Sequence, residues 1–405
     1  MSPGAGSRRI RLAIVATHPV QYAAPWFAFL ARRPELELRV FYLSDAGVQP
    51  HRDPGFGVTL QWDVPLLDGY ASEFVPNRSW RPGVTRFTGL WNPSLAARVR
   101  DWAPDAVLLT AYNYATFVDF LCRWRGAPLL FRGDSHRLVP RRGPREVVRK
   151  MLIARVFRRF DAVLCVGEAN HGYFREHGVD EAKIHRAPHA VDNVRFMLAR
   201  PQAEAEARTW RESLGIPASH AVVLFAGKFE EKKRPLDLLS AFLEARLADA
   251  TLLFVGAGPQ EAALRAAAQG HGSIRFAGFQ NQRAMPRTYA AGDVFVLPSF
   301  GPSETWGLAV NEAMCLGRPA IVSTHVGCAR DLVVPGVTGL VFEAGSIPAL
   351  SRALREALQD RARLRTWGDH AARHIGGYDY ARATAGLLQA LGSLPRPAGA
   401  PAVAT

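Results

Sequence analysis

Two glutamates mark the stretch of sequence with the clearest chemical signal. An apolar run, Val294–Leu297, is followed by a loop of Gly, Pro and Ser residues that contains Glu304. A helix is predicted to start near Gly307 and to carry Glu312, eight positions after Glu304. Eight residues of helix span about 12 Å, so the two carboxylates would contact different parts of one extended ligand. Free backbone N–H groups at the helix start favour an anion. The stretch therefore indicates a ligand with hydroxyls at both ends of a phosphate.

A cluster of lysines follows another predicted strand, Val222–Phe225. Lys228 comes directly after Gly227, and Lys232 and Lys233 stand four and five positions beyond Lys228. Lysines at the carboxyl end of a strand, flanking a glycine, can reach a diphosphate as point charges. Runs of charge are more often solvated surface, so the alternative is that these lysines contact only water.

Polar residues also follow a predicted strand in the first half of the chain, Leu129–Phe131. Asp134 and His136 are the best candidates for catalysis in this half. The pKa of an imidazole lies close enough to neutrality for His136 to exchange a proton during a reaction. The alternative for His136 is a plain surface position, because the segment that follows it is strongly basic.

Short apolar runs alternate with helical segments along the whole chain, a pattern typical of βαβ units and parallel sheets. Two α/β domains fit 405 residues better than one. The second set of strands begins after a polar stretch at 200–213, and we place the boundary between Asp192 and Ser219. The predicted strands are Leu12–Ala16, Leu38–Leu43, Ala106–Leu109, Leu129–Phe131, Ala162–Val166, Ile184–Ala187, Val222–Phe225, Thr251–Val255, Val294–Leu297, Ala320–Val322 and Leu340–Phe342.

The positive charge of the chain is concentrated in its first half. The net charge is +14, and residues 1–200 hold 29 basic against 18 acidic side chains, a net +11. Nine basic residues lie between Arg137 and Arg159, with Glu146 as the one acidic residue. Apolar side chains from Pro144 onward are predicted to share one side of a basic helix. Such a helix either lies on an anionic membrane surface or covers a sheet with a solvated basic face, and both interpretations stay open.

Composition and motifs exclude several classes of protein. The 48% hydrophobic and 21% charged residues are typical of a soluble globular chain. No run of about 18 apolar residues predicts a spanning helix, and His18 interrupts the first apolar run too early for a signal peptide. Four cysteines without CxxC spacing indicate reduced thiols in the cytosol. The sequence has no Asp-x-Asp triplet, and nothing else in it supports a metal site. No nucleic acid is expected, because a high isoelectric point without a binding motif is insufficient.

Together, these motifs resemble glycosyltransferase family 4, whose members have the GT-B fold. The resemblance is strongest over residues 220–345, where Gly227-Lys228 with Lys233 is similar to a Gly-Arg…Lys element of the family, and Glu304…Glu312 to its E-x7-E element. Lys228 stands where the family commonly has Arg, so the charge is kept and the two-pronged guanidinium contact is lost. The turn after the first strand, with His18 and Gln21, lacks the glycines of many members, so we expect donor or acceptor contact there.

The resemblance implies a retaining, metal-independent transfer of a sugar from a nucleoside diphosphate to an acceptor hydroxyl. Glu312 would hold the ribose hydroxyls, and Glu304 the hydroxyls of the donor sugar. The remaining donor-binding residues would contact the diphosphate: Lys228 and Lys233 through their ammonium groups, and Gly227, Gly307 and Leu308 at the backbone. The implied acceptor is a glycan or a lipid-linked saccharide of cell-envelope or exopolysaccharide assembly, met in the cytoplasm or at the inner face of the plasma membrane.

The implied architecture is two Rossmann-like, doubly wound domains facing each other across a cleft. We expect an acceptor-side domain at 1–195, a nucleotide-sugar-binding domain at 196–375, a helix at 376–393 that packs back on the first domain, and a disordered tail at 394–405. A sugar-nucleotide epimerase, a phosphorylase and a non-catalytic nucleotide-sugar sensor are alternatives with the same fold. Product analysis separates them, because an epimerase needs no acceptor, a phosphorylase needs phosphate, and a sensor turns nothing over.

Overall fold

The structure is a computed structural model that describes residues 8–53, 55–57, 59–139 and 143–394. Two parallel sheets of seven and six strands form the centres of two α/β domains, called here the first and the second domain. Each sheet is covered by buried apolar side chains on both faces. This two-domain, doubly wound architecture is the fold that the alternating apolar and helical pattern predicts.

The first domain begins with strand β1 and also contains a short antiparallel hairpin. Its strands are β1 Ile10–Ala16, β2 Leu36–Tyr42, β3 His51–Arg52, β4 Thr59–Leu60, β5 Ala71–Phe74, β6 Ala106–Leu109, β7 Leu129–Arg132, β8 Ala162–Cys165 and β9 Ile184–Arg186. Its helices are α1 Ala24–Ala31, α2 Leu95–Asp101, α3 Ala115–Arg123, α4 Pro144–Phe157 and α5 Glu168–Glu176. The hairpin is formed by β3 and β4.

The second domain follows on helix α6, Asn193–Ser213. Its strands are β10 Ala221–Ala226, β11 Ala250–Val255, β12 Ile274–Ala277, β13 Val294–Leu297, β14 Ala320–Ser323 and β15 Gly339–Phe342. The other helices are α7 Pro235–Ala245, α8 Glu261–Ala267, α9 Met285–Ala290, α10 Leu308–Cys315, α11 Ala329–Leu332, α12 Ile347–Leu358, α13 Arg361–His374 and α14 Tyr380–Ser393.

The strand order of each sheet places a ligand crevice beside its central strands. The first sheet runs β5-β2-β1-β6-β7-β8-β9, and Ile14 of β1 pairs with Val40 of β2 on one side and Leu108 of β6 on the other. The second sheet runs β12-β11-β10-β13-β14-β15. Chain connections leave in opposite directions from β1 and β6, and from β10 and β13. Such reversals open crevices at the carboxyl ends of the strands, where α/β proteins bind ligands.

All eleven predicted strands are present, with boundaries that differ by two residues at most. The two further strands of the main sheets lie at edges: β5 is largely exposed, and β12 is mostly half-buried. An edge strand needs no continuous apolar run, which is why neither gave a signal.

The polar stretch at 200–213, which lies within the predicted boundary region, is helical. It forms the last two-thirds of α6, and Asp192 caps the helix by accepting a hydrogen bond from the Arg195 N–H at 3.0 Å. Phe196, Ala203 and Ala207 are buried in the core of the second domain. Two alanines and one aromatic residue are enough to anchor an otherwise charged helix, because its other faces are solvated.

Helix α14 returns to the first domain and packs against β8, β9 and α1. Leu387 and Ala390 are fully buried there, and Trp26 of α1 donates a hydrogen bond to the Thr384 hydroxyl at 3.2 Å. The disordered tail expected at 394–405 lies outside the described residues apart from Leu394. Among the described helices, none combines the length and the apolar character needed to cross a membrane.

Candidate active site

A cavity of about 410 Å³ lies between the two domains, at the carboxyl ends of their strands. The second domain contributes the loops after β10 and β13 and the start of α10. The first domain contributes the turns after β1 and β7, and the residues Asp53, Phe56 and Trp62. We call it the central cavity. Eight of the nine predicted site residues line it: Asp134, Gly227, Lys228, Lys233, Glu304, Gly307, Leu308 and Glu312.

Lys233 and Glu304 meet on one wall of this cavity. Lys233 Nζ forms an ion pair with Glu304 Oε2, and the Ser299 hydroxyl donates to the same oxygen at 2.8 Å. The main-chain N–H of Phe300 donates to the Lys232 carbonyl at 2.8 Å, which ties the lysine loop to the Glu304 loop. The two side chains of the ion pair are only 20% and 13% exposed. A cation and a carboxylate are therefore held side by side, ready to contact adjacent anionic and hydroxyl groups of a ligand.

Lys228 is covered by a segment of the first domain. Its Nζ lies 2.8 and 3.0 Å from the two carboxylate oxygens of Asp53, and 4.9 Å from the centre of the Phe56 ring. Asp53 Oδ1 also accepts the N–H groups of Gly55 and Phe56, and the Phe56 ring meets Phe279 of the second domain edge-on at 4.7 Å. Burial acts to raise the pKa of Asp53, but the hydrogen bonds from Lys228 and the backbone outweigh it and lower that pKa. Asp53 is thus a carboxylate seated on the lysine predicted to bind a diphosphate.

Glu312 forms a buried end of the central cavity, with its side chain almost inaccessible. The Tyr289 hydroxyl donates to Glu312 Oε2 at 2.6 Å. Burial raises the pKa of Glu312 to about 7, against the lowering effects of this hydrogen bond and of Arg195. Burial and the Glu312 charge also raise the pKa of Tyr22, which lines the same end. This carboxyl therefore changes charge near neutral pH and has few protein partners for its second oxygen.

The start of α10 adds backbone donors to the cavity. Gly307 has φ of 100°, in the left-handed region, and a Cβ there would lie 2.9 Å from Leu297 and 3.0 Å from Val326. Both the conformation and the crowding require glycine. The N–H groups of Leu308 and Ala309 follow in the first turn, where a helix provides no internal acceptors. An anion in the cavity can accept these N–H groups and meets the positive end of the helix.

Asp134 links the two domains at the mouth of the cavity. The Thr305 hydroxyl donates to Asp134 Oδ2 at 2.7 Å, and His189 Nε2 lies 3.5 Å from the same oxygen. Burial acts to raise the pKa of Asp134, but His189 and then Thr305 outweigh it and lower that pKa. Burial lowers the pKa of His189. At neutral pH, Asp134 is therefore a carboxylate held by a mostly uncharged imidazole.

His136 is the predicted site residue that does not line the central cavity. Its Nδ1 accepts the Leu138 N–H at 3.3 Å, so Nε2 carries the proton and donates to the Glu304 main-chain oxygen at 3.1 Å. The side chain is 8% exposed. With both ring nitrogens bonded to the backbone, His136 is suited to fixing the Glu304 loop and poorly placed to exchange a proton with a ligand.

Several cavity residues gave no usable signal in the sequence. Tyr22, Asp53, Phe56 and Tyr289 come together only through the fold, and the mixed composition around Asp53 resembles any surface loop. His189 stands in a Pro-His-Ala-Val-Asp stretch that belongs to the weaker part of the family resemblance. That stretch is the one sequence signal that could have indicated His189 as a partner of Asp134. Of the two residues after the first strand, Gln21 lines the cavity, and His18 Nδ1 lies 3.0 Å from the Thr17 hydroxyl.

A second cavity, of about 620 Å³, adjoins the central one within the first domain; we call it the lateral cavity. The carboxyl ends of β6 and β7 form its floor, and helix α4 forms a wall with Arg145 and Arg149. Asp134 lines both cavities. A group bound in the lateral cavity would therefore meet a group bound in the central cavity beside Asp134.

The apolar residues of helix α4 do not all share one side of the helix, which differs from the prediction. Ile153 and Phe157 are buried against the first sheet, whereas Val148, Met151 and Leu152 are 51–61% exposed. The helix therefore both covers the sheet and presents apolar side chains next to its basic ones.

Within the described ranges, no group of three or more His, Cys, Asp or Glu side chains is placed to hold a metal ion. The expectation of a metal-independent reaction stays a prediction.

Two family models match the chain without overlapping. Residues 28–195 match a model described as Glycosyltransferase Family 4, and residues 206–374 match one described as Glycosyl transferases group 1. A D-inositol 3-phosphate glycosyltransferase of Nocardia farcinica is 29% identical over 272 residues, 64% of this chain and 57% of the relative. A 2-deoxystreptamine N-acetyl-D-glucosaminyltransferase of Streptomyces fradiae is 33% identical over 194 residues, 46% of this chain and 44% of the relative. The chain thus spans about half the length of the curated relatives it matches.

Solved structures match over nearly the whole chain. Anabaena Alr3699/HepE in complex with UDP and glucose superimposes with a TM-score of 0.71 at 17% identity, covering 95% of this chain and 100% of that one. Sucrose-phosphate synthase of Thermosynechococcus elongatus superimposes with a TM-score of 0.67 at 20% identity, covering 94% and 98%. At these identities the likeness establishes the fold, which is the GT-B arrangement of two Rossmann-like domains.

Proposed function

We propose that this chain, which belongs to the family 4 glycosyltransferases, transfers a sugar from a nucleoside diphosphate to an acceptor hydroxyl with retention of the anomeric configuration. The observation that carries the proposal is the convergence of Lys233, Glu304 and the start of α10 on one wall of the central cavity. These groups offer a cation, a hydroxyl acceptor and free N–H donors within one short stretch of surface. A sugar diphosphate has matching groups, namely phosphates for the cation and the N–H donors, and sugar hydroxyls for the carboxylate.

The buried depth of the cavity suits the nucleoside. Glu312 would accept the ribose hydroxyls through the carboxylate oxygen that Tyr289 leaves free. Phe279 and Gln280 follow β12 and line the cavity wall, where a base would lie. Two similar proteins support a nucleotide-linked donor: Anabaena Alr3699/HepE was solved with UDP and glucose, and a mannosyltransferase of Corynebacterium glutamicum is GDP-mannose-dependent.

Stabilising the departing diphosphate is the main catalytic task of the site. The bond between the anomeric carbon and the diphosphate oxygen breaks, and negative charge accumulates on that oxygen. Lys233, Lys228 and the first N–H groups of α10 would stabilise this charge from fixed positions, which needs no metal ion. Glu304 would hold the sugar hydroxyls while the acceptor oxygen forms the new bond. The acceptor proton leaves with the diphosphate or through water.

The lateral cavity is the proposed acceptor site. Because Asp134 lines both cavities, an acceptor hydroxyl beside it would reach the donor sugar. The Asp134 carboxylate can accept a hydrogen bond from that hydroxyl and orient it. Arg145 and Arg149 on α4 would pair with an anionic group further along the acceptor. The acceptor is thus a glycan or lipid-linked saccharide that carries a phosphate or carboxylate.

The outer surface of α4 supports contact with an anionic membrane. Val147 and Met151 are each 60% exposed, beside the basic residues of the same helix. An exposed loop of the same domain carries Trp80 and Phe87, with the Arg81 guanidinium 4.2 Å from the Trp80 ring. Aromatic, apolar and basic side chains together favour the headgroup region of a bilayer. We therefore place the reaction at the cytoplasmic surface of the membrane, in cell-envelope or exopolysaccharide assembly.

The variant Glu304→Gln tests the proposed function. It keeps the shape of the side chain and removes the charge paired with Lys233, so the fold should be retained and sugar transfer lost by at least about a hundredfold. Glu231→Gln, on the exposed side of the same lysine loop, is the matched control and should leave transfer unchanged. Lys233→Ala should weaken nucleotide binding in calorimetry. Full transfer by Glu304→Gln would refute the assignment, and product formation without an acceptor would indicate an epimerase.

A further inference from the structure

A third cavity, of about 570 Å³, lies in the second domain, at the end of the strands opposite the central cavity. Ser219 and His220 precede β10, Asp293 precedes β13, and Gly317 and Arg318 precede β14, so the cavity lies at the amino ends of these strands. Helices α6 and α13 form its sides. We call it the arginine cavity, and nothing in the proposed transfer reaction uses it.

The charge of the arginine cavity is strongly positive. Six guanidinium groups line it against three carboxylates, Glu204, Asp293 and Asp369. The arginines are Arg200, Arg208, Arg211, Arg318, Arg361 and Arg365. Those on α6 are spaced so that one face of the helix presents them together, and Arg361 and Arg365 are four residues apart on α13. The lining thus has an excess of three positive charges.

Two of the three carboxylates are already shared among the arginines. Glu204 Oε1 lies 2.9 Å from Arg200 Nε and 3.4 Å from an Arg318 nitrogen. Asp293 Oδ2 accepts from Arg211 at 3.0 Å and from the Val222 N–H at 2.7 Å. Both carboxylates are therefore already paired with arginines of the lining, and the other arginines of the cavity account for its excess positive charge.

Donors remain without acceptors after this pairing. Within the described part of the chain, Arg208 and Arg365 make no side-chain hydrogen bond or ion pair, and the Nε of Arg318 is buried without a partner. Burial lowers the pKa of Arg318, and Arg211 and Arg200 add to this effect against the two carboxylates. The crowded guanidinium groups repel one another, and an anion bound between them would offset this repulsion by attracting each of them.

We propose that the arginine cavity binds a small molecule with two or more linked phosphate groups. Guanidinium groups bind phosphate oxygens in pairs, and donors from two helices favour an anion that spans them over a single phosphate. An excess of three positive charges matches an oligophosphate. The volume leaves space for a further group attached to it.

The place of the cavity makes its occupant an effector of the domain arrangement. Helix α6 leaves the first domain at Asn193, and α13 leads directly into the return crossing at Ile375; Asn193 Nδ2 donates to the Ile375 carbonyl at 3.0 Å. An anion that joins α6 to α13 therefore braces both chain crossings between the domains. This inference does not depend on the proposed transfer reaction.

Calorimetry with inorganic triphosphate on the full chain tests the site. The central cavity also offers lysines, so the measurements use a Lys228→Ala/Lys233→Ala background. This background should still bind triphosphate, and more tightly than inorganic phosphate. Adding Arg208→Gln and Arg365→Gln should weaken binding by at least about tenfold. Both arginines are exposed and, among the described residues, make no side-chain hydrogen bond or ion pair, so unchanged melting temperatures are expected.

The matched control adds Arg158→Gln and Arg352→Gln, two exposed arginines away from the cavity, to the same background. It makes the same change in net charge and should alter triphosphate binding by less than about twofold. Equal weakening by the two pairs would mean a general charge effect and would overturn the site. Absence of binding in the Lys228→Ala/Lys233→Ala background would assign triphosphate to the central cavity and would also overturn the arginine site. Equal affinity for phosphate and triphosphate would overturn the oligophosphate class.

Discussion

The Nε2 atom of His136 in the first domain donates a hydrogen bond to the main-chain oxygen of Glu304 in the second domain, at 3.1 Å. This contact holds the backbone of the residue whose side chain pairs with Lys233. The geometry of the cavity wall that carries the Lys233–Glu304 ion pair therefore depends on how the two domains meet.

Removing this contact should slow transfer without abolishing it. His136→Ala leaves the Glu304 loop with one fewer anchor, and we expect kcat to fall by about ten- to a hundredfold, because misplacing a catalytic group by about 1 Å costs that much. His136→Gln provides an N–H donor at a similar distance and should restore most of the rate. Steady-state kinetics across pH 6 to 9 separate positioning from proton transfer. If the glutamine variant were as slow as the alanine variant and lost a pH-dependent limb, His136 would be a proton carrier.

Freeing Lys228 from Asp53 should tighten donor binding. The Asp53 carboxylate lies where a diphosphate oxygen would approach Lys228 Nζ, so the donor must displace it. Asp53→Asn keeps the turn with Gly55 and Phe56 and weakens the ion pair, and we expect the dissociation constant of a nucleoside diphosphate to fall by about three- to tenfold. Titration calorimetry measures this change.

The control for this prediction is Asp63→Asn, which alters a first-domain carboxylate that caps the Arg283 N–H away from the lysines. It should leave donor affinity unchanged. Because the pKa of Asp53 is lowered, its hold on Lys228 is fully present above the normal carboxyl pKa and is lost as pH falls through the lowered value. Weaker donor binding by Asp53→Asn would mean that Asp53 helps to bind the ligand.

The sequence alone could predict several residues of the central cavity because they follow buried strands. Glu304, Lys228 and Asp134 all stand within seven residues of a strand end, and parallel sheets bring such ends to one edge. Asp53 and Tyr289 could not be found this way. Asp53 reaches the site from a loop of the other domain, and Tyr289 comes from a helix whose buried tyrosine looks like any core aromatic.

The sequence also could not determine which way the side chains of α4 face or what His136 contacts. The basic segment predicts a charged surface, but whether the apolar residues of α4 face the sheet or the solvent depends on the rotation of the helix. Ile153 points inward and Met151 outward, because residues two positions apart on a helix face nearly opposite sides. The role of His136 was similarly undetermined, since its partners are backbone atoms that no motif records.

The exposed apolar residues of α4 should contribute to membrane binding. Val147→Ser with Met151→Ser removes two exposed apolar side chains while keeping every basic residue. We expect the partition coefficient onto vesicles containing phosphatidylglycerol to fall by about tenfold or more, since each buried side chain contributes about 1.5 kcal/mol. Co-sedimentation with vesicles measures this.

The matched control is Val194→Ser with Leu198→Ser, which removes two somewhat more exposed apolar side chains from α6. It should leave vesicle binding unchanged. Wild-type protein should bind phosphatidylcholine vesicles much more weakly, because α4 and its surroundings are basic. Equal loss in both variants would indicate a general effect of hydrophobicity and would remove α4 from the membrane contact.

The buried carboxyl of Glu312 should make donor binding depend on pH. Burial raises its pKa to about 7, so the carboxylate that would accept the ribose hydroxyls is mostly absent at pH 6 and mostly present at pH 8. We expect donor affinity to rise by about tenfold over this range. Glu312→Gln should bind the donor weakly and lose this part of the pH dependence. A wild-type profile that matched the variant profile would show that Glu312 does not contact the donor.

The Glu312 carboxylate should lower the free energy of unfolding in the same pH range in which it favours donor binding. A folded-state pKa above the unfolded one means that the unfolded chain releases the Glu312 proton first, so stability falls as pH rises from about 4.5 to about 7 and stays reduced above that. Glu312→Gln can still accept the Tyr289 hydroxyl and carries no charge. It should therefore raise the free energy of unfolding at pH 8 by up to roughly 3 kcal/mol, which raises the melting temperature, and it should have little effect at pH 4.5. A variant that is less stable than wild type at pH 8 would mean that the carboxylate is satisfied in the empty site, because a buried charge lowers stability only while it lacks partners.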